Sequence, residues 1–122
     1  MNNSLLNLKG TGVAVVTPFK PDLSVDYGSI KKIVNHLIDG GINYLVVQGT
    51  TGESSTLSDY EKDKSREKFI DAVQGRLPVV LGLGGNDTNN LVQKITNSNL
   101  NGFSAILSVT PFYNKPTQEG LF

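Results

Sequence analysis

Gln48-Gly49-Thr50-Thr51-Gly52-Glu53-Ser54 follows the apolar run Tyr44-Leu45-Val46-Val47 and precedes Ser58-Asp59-Tyr60-Glu61. The second flank is a capping box, a Ser followed three residues later by Glu, which marks a helix start. The first flank is short, β-branched and continuous, as a buried strand is. The stretch is therefore a βα loop. Glycines at 49 and 52 predict a tight turn in which the backbone can approach a ligand. Thr50 and Thr51 add two hydroxyls and two backbone N–H groups. In parallel α/β architectures ligands bind at the carboxyl ends of strands, where this loop lies. Small residues of this kind also make ordinary connections, so the loop alone leaves both readings open.

Working outward, the same alternation recurs. Upstream, Gly12-Val13-Ala14-Val15-Val16-Thr17-Pro18-Phe19 reads as a strand buried on both faces and closed by Pro. Asp26 can cap the helix that follows. Ile30, Ile33, Val34, Leu37 and Ile38 form one apolar stripe on it, and Gly40-Gly41 stops it. Downstream, the helix after Ser58 opens with a charge run from Glu61 to Lys68, expected as a solvated face with i,i+3 contacts such as Lys64–Glu67. Gly75 ends it. Leu77 to Gly84 is a third strand. Asp87 or Thr88 caps a third helix that buries Leu91, Val92 and Ile95. Phe103 to Val109 is a fourth strand. A Pro-bracketed loop from Thr110 to Pro116 follows, and Thr117-Gln118-Glu119-Gly120 starts a further helix.

The order is β-α-β-α-β-α-β, with strands starting about every 25–35 residues, the pitch of βα units in a parallel sheet. A doubly wound sheet and a (β/α)8 barrel both fit. A full barrel needs about 250 residues and the sequence has 122, so a piece of a longer protein is expected.

Composition narrows the function. Eleven basic side chains balance eleven acidic ones, which leaves no electrostatic footprint for nucleic acid or an anionic membrane. No apolar run nears the roughly 18 residues of a membrane span, and Met1 to Lys9 shows no secretory pattern. There is no Cys, and the single His, His36, reads as a partly exposed helix residue rather than a base. No metal and no cofactor are expected, and a reducing cytoplasm is the default setting. Gly82-Leu83-Gly84-Gly85-Asn86 lacks the Lys and Ser/Thr of a phosphate loop and reads as a turn near a neighbouring loop. Tyr113, at the end of the fourth strand, shares a rim with Thr50; a Tyr–Thr pair can pass a proton if a third group completes the chain. All nine lysines fall on loops or helices. An amine nucleophile must be desolvated to be neutral near pH 7, and none of these positions promises that.

Three segments resemble the dihydrodipicolinate synthase family, in the wider group of Schiff-base pyruvate aldolases and lyases that includes N-acetylneuraminate lyase. They are Thr17-Pro18-Phe19, Gly49 to Ser54, and the long run Thr110 to Leu121. The resemblance begins at about Leu8. It implies that residues 1–122 are the N-terminal half of a (β/α)8 TIM-barrel catalytic domain, four parallel βα units of the α/β class, with the remainder of the barrel elsewhere. It implies condensation of pyruvate, held as a lysine imine, with aspartate semialdehyde on the path to lysine, in a homotetramer built as a dimer of dimers. Thr50 would be the hydroxyl of a proton relay, and Tyr113 the relay tyrosine that crosses a dimer interface. Thr51 would bind the pyruvate carboxylate. The imine lysine, a second relay tyrosine and the semialdehyde-binding arginine would lie beyond Phe122.

At the family's lysine-feedback site Ser54 and Asn86 remain as remnants. Asp59 or Lys62 and Asn90 stand where inhibited members have a histidine and a glutamate, and Phe112 replaces a tyrosine, which argues against feedback inhibition. The alternatives are a 2-keto-3-deoxy-sugar-acid aldolase or N-acetylneuraminate lyase of the same group and, in another class, a non-catalytic half-barrel that self-associates through open strand edges.

Overall fold

A computed structural model describes residues 8–121. Met1 to Asn7 of the stretch read for a secretory pattern, and Phe122, lie outside them.

Four short parallel strands form one sheet in chain order: β1 (Gly12–Ala14), β2 (Tyr44–Val47), β3 (Val79–Gly82) and β4 (Ala105–Leu107). Helices α1 (Tyr27–Asp39), α2 (Asp59–Val73) and α3 (Thr88–Asn97) make the crossovers. Each strand is joined to the next by one helix, as parallel pairing requires. Register runs Val13 to Leu45, Val46 to Val80 and Leu81 to Ile106. Four parallel strands with three crossover helices make an α/β fold, as in the N-terminal half of a (β/α)8 barrel.

The caps are those the sequence announces. Asp26 accepts from the Gly28 and Ser29 amides at the head of α1, and its hydrogen bond from the Ser29 hydroxyl is the main cause holding its carboxyl below the usual range. Ser58 and Glu61 close the capping box of α2, and Asp87 caps α3 through the Asn90 amide. A 3-10 turn at Glu119–Leu121 occupies the place of the expected further helix.

The core lies between the central strands and the first two helices. Ile30 and Val34 of α1 and Phe69, Ala72 and Val73 of α2 pack on Leu45, Val47, Val79 and Leu81. Ile33, Leu37 and Ile38 complete the stripe at its half-buried margin. Leu45 is wholly enclosed on the second strand of the sheet. Leu45→Ala in the full-length protein is expected to cost about 2–5 kcal/mol, read as a lower urea midpoint at unchanged slope. A loss below about 1 kcal/mol would show that this core is not the stabilising one.

Three expectations need correction. The first strand is not buried on both faces: Gly12 and Ala14 are exposed and Val16 is half exposed, while Val15, just past the strand, is enclosed. Among the described residues β1 pairs only with β2, so its outer edge has no cover. In α3 no residue is fully buried. Leu91 and Ile95, one turn apart, pack against the core, but Val92, rotated about 100° from Leu91, is 56% exposed. A groove of about 760 Å³ separates this helix from α2. The charge run of α2 is not wholly solvated either, since Ser65 and Arg66 are buried. Its ion pairs are Lys62–Asp59, Arg66–Asp63 and Lys68–Asp71. Lys64 stands 4.6 Å from the centre of the Tyr27 ring and 5.5 Å from that of Tyr60 rather than pairing with Glu67.

Candidate active site

The carboxyl ends of the four strands form a rim, on which side chains tie the first loop to the second and the third to the fourth. After β2 the chain enters a 3-10 turn, Thr50–Gly52, in which the Glu53 amide donates to the Thr50 carbonyl at 3.0 Å. Thr50 and Thr51 are exposed on it. From the first strand's loop, buried Thr17 donates its hydroxyl to the Gly52 carbonyl at 2.7 Å. A Cβ on Gly52 would come within 3.2 Å of the Val15 carbonyl, so that glycine admits the close approach.

The turn is made differently from the glycine-based expectation. Gly49 has φ −74° and open space where a Cβ would be. The left-handed residues flank the turn instead: Gln48 at φ 56° and Glu53 at 53°. Gln48 is buried. Its amide nitrogen donates to the Lys62 carbonyl at 2.7 Å and to the Ser65 hydroxyl at 2.9 Å, and its oxygen accepts from Arg66 Nε at 2.9 Å. Arg66 Nη1 pairs with Asp63 at 3.0 Å. Burial pulls the Arg66 guanidinium below its usual pKa, opposed by Asp63 and Asp59. On the sheet side the Gln48 carbonyl presses against β3, where a Cβ on Gly82 would sit 2.5 Å from it.

Farther along the rim, Asn86 accepts from the Phe112 amide at 2.8 Å and so joins the loops after β3 and β4. Tyr113 is 90% exposed, with φ 71°. Among the described residues no hydrogen bond joins it to Thr50. β3 stands between their strands, and two strand spacings are about 10 Å, too far for direct contact between backbone-anchored neighbours. Ser54 lines the α2–α3 groove with Asp59, Lys62 and Asn90, while Asn86 lines a smaller hollow. None of the nine lysines is buried and none lies on a strand.

The structure thus brings Thr50 and Thr51 together, places Tyr113 on the same rim but apart, and sets Ser54 and Asn86 in two adjoining hollows that share Gly84, Asn90 and Lys94. Sequence reading missed Thr17, Gln48, Ser65 and Arg66. The Thr-Pro-Phe segment pointed at the first without a role. The others carried no periodic signal.

Comparison with known proteins decides the family. The sequence model of the Dihydrodipicolinate synthetase family matches residues 7–122. The chain belongs to that family. A relative from Flavobacterium psychrophilum, 4-hydroxy-tetrahydrodipicolinate synthase, is 58% identical over 113 residues, 93% of this chain and 39% of that protein. The chloride-inhibited dihydrodipicolinate synthase of Acinetobacter baumannii, solved with pyruvate, superimposes with a TM-score of 0.85 at 43% identity, covering 92% of this chain and 38% of that one. N-acetylneuraminate lyase from Proteus mirabilis gives a TM-score of 0.77 at 32% identity, with 92% and 38% covered. The chain spans about 39% of the length of the curated relative. Within the family, the strand-end rim described above is the part of the barrel where the (β/α)8 architecture builds its sites.

Proposed function

We infer that residues 1–122 are the N-terminal half of the catalytic domain of a 4-hydroxy-tetrahydrodipicolinate synthase, a lyase that condenses pyruvate with aspartate semialdehyde in lysine biosynthesis. The observation that carries this reading is the exposed Thr50-Thr51 turn at the carboxyl end of β2, in a chain of this family. Pyruvate is held as an imine on a lysine of the remaining barrel strands. Thr51 binds its carboxylate through hydroxyl and backbone N–H, donors suited to a developing or fixed negative charge. Thr50 passes a proton through its hydroxyl, with Tyr113 as the next carrier. The exposure of Tyr113 and the 10 Å span support a relay completed across a subunit interface in a dimer of dimers. No cofactor enters. The enzyme works in the cytoplasm. Ser54 and Asn86 are remnants of a lysine-feedback site. The hydrogen bond from Phe112 to Asn86 gives that asparagine a structural reason to be present.

The test is turnover by the full-length protein of pyruvate with aspartate semialdehyde. Inactivity there, with cleavage of a 2-keto-3-deoxy-sugar acid or of N-acetylneuraminate, would move the chain to the sibling chemistry. Identity favours the first: 58% to the synthase against 32% to the neuraminate lyase. For the 122 residues by themselves, the outer edges of β1 and β4, unpaired among the described residues, and the exposed Val16, Leu107 and Val109 support a non-catalytic half-barrel that associates with itself.

A further inference from the structure

Gln48 stands two residues before Thr50 in a conformation that a residue with a Cβ ordinarily avoids, at φ 56°. A left-handed residue of this kind is strained and persists only where its surroundings enforce it. Here the enforcement is visible. Both amide hydrogens of the side chain are spent on α2, on the Lys62 carbonyl and the Ser65 hydroxyl, and its oxygen takes the Arg66 Nε–H. Arg66 is fixed in turn by Asp63 at 3.0 Å and by Ser98, beyond the end of α3, at 3.4 Å. From the other side β3 offers a glycine, Gly82, where any side chain would strike the Gln48 carbonyl. A simple core filler would need none of these donors, since an apolar residue of similar size packs without them.

We propose that Gln48 and Arg66 are positioning residues, which fix the direction in which the chain leaves β2 and so place the Thr50 and Thr51 hydroxyls for pyruvate. The assignment rests on the function given above and deepens it. Without the Arg66 bond the Gln48 backbone can relax toward the extended region that non-glycine residues prefer. The turn then rotates about its first residue. Displacement of about 1 Å at a reacting group can cost about 10²-fold in rate.

The test uses the full-length enzyme. Arg66→Met keeps the aliphatic stem against the core and removes the guanidinium. Its partner Asp63 is exposed, so no buried charge is stranded. The expected result is a folded protein whose KM for pyruvate rises about tenfold or more and whose kcat falls by about 10–100-fold, with the KM for the aldehyde substrate little changed. In a Thr50→Val background the same substitution should cost much less in kcat, because coupled residues are not additive. A residue that only stabilises the fold would lower the melting temperature, leave both constants alone well below it, and combine additively with Thr50→Val. That outcome overturns the proposal. If Arg66→Met does not fold, Arg66→Lys keeps the charge but not the planar fork and should show the same pattern more weakly; unchanged constants there also overturn it. Wild-type protein that lacks turnover with pyruvate and the semialdehyde refutes the functional reading instead. If it cleaves a keto-deoxy-sugar acid, the same variants are compared on that reaction, which also passes through pyruvate.

Discussion

Treated with pyruvate and borohydride, the 122-residue chain is expected to keep its mass, whereas the full-length protein is expected to gain one reduced adduct per subunit. The difference is all or none because imine formation needs a neutral amine. An exposed lysine has a pKa of about 10.4, so about one in 2,500 is neutral at pH 7. Burial against apolar strands is what lowers the value. Each of the nine lysines is exposed or only half-buried, and each lies on a loop or helix. The least exposed that pair with a neighbour have it for other reasons: Lys62 lies 3.9 Å from Asp59, and Lys64 stands over two tyrosine rings. Under the proposed function, the reactive lysine is therefore expected on a strand beyond these four. A stoichiometric mass gain located on any lysine between Lys9 and Lys115 would refute the argument.

Thr50→Val in the full-length enzyme should lower kcat by about 10²–10⁴, the usual range for a positioned proton carrier, while leaving borohydride trapping of pyruvate nearly intact. Valine has the shape of threonine without the hydroxyl. The hydrogen bonds that shape the turn use backbone groups, from the Glu53 amide to the Thr50 carbonyl and from the Gly52 amide to the Gly49 carbonyl. Neither is touched, so the variant isolates the hydroxyl. Trapping that falls in parallel with kcat would assign Thr50 to imine formation, and unchanged kcat would return it to a connecting role.

What could be read beforehand follows a physical line. The three helix caps, the strand after Gly41 and the loop at Thr50 were legible because each rests on neighbours in sequence: a side chain bonding an amide two or three residues on, or an apolar run ended by glycine. Arg66 was not, because its neighbours in sequence are charged and its burial comes from Gln48, 18 positions away. Val92 failed for the reverse reason. It has a buried residue's chemistry, yet it lies off the Leu91–Ile95 face that packs against the core, and which face docks is a property of the assembled sheet. The left-handed Gln48 was hidden by the glycine beside it, which local rules credit with the turn.

The sheet is wound in chain order, and this bears on how the molecule comes into being. Among the described residues every ladder joins a strand to its immediate predecessor, so β2, β3 and β4 each emerge with a pairing partner already synthesised. Leu45, Val47, Phe69, Val79 and Leu81 can close on one another before β4 and α3 have left the ribosome, in keeping with domains that fold from the N-terminal side during synthesis. β4 then docks on a surface already set and stays half-covered. In native-state hydrogen exchange of the full-length protein, amides of β2 and β3 should be the slowest and those of β4 faster, reflecting separate opening units. Equal protection across all four strands would mean that the sheet opens and closes as one.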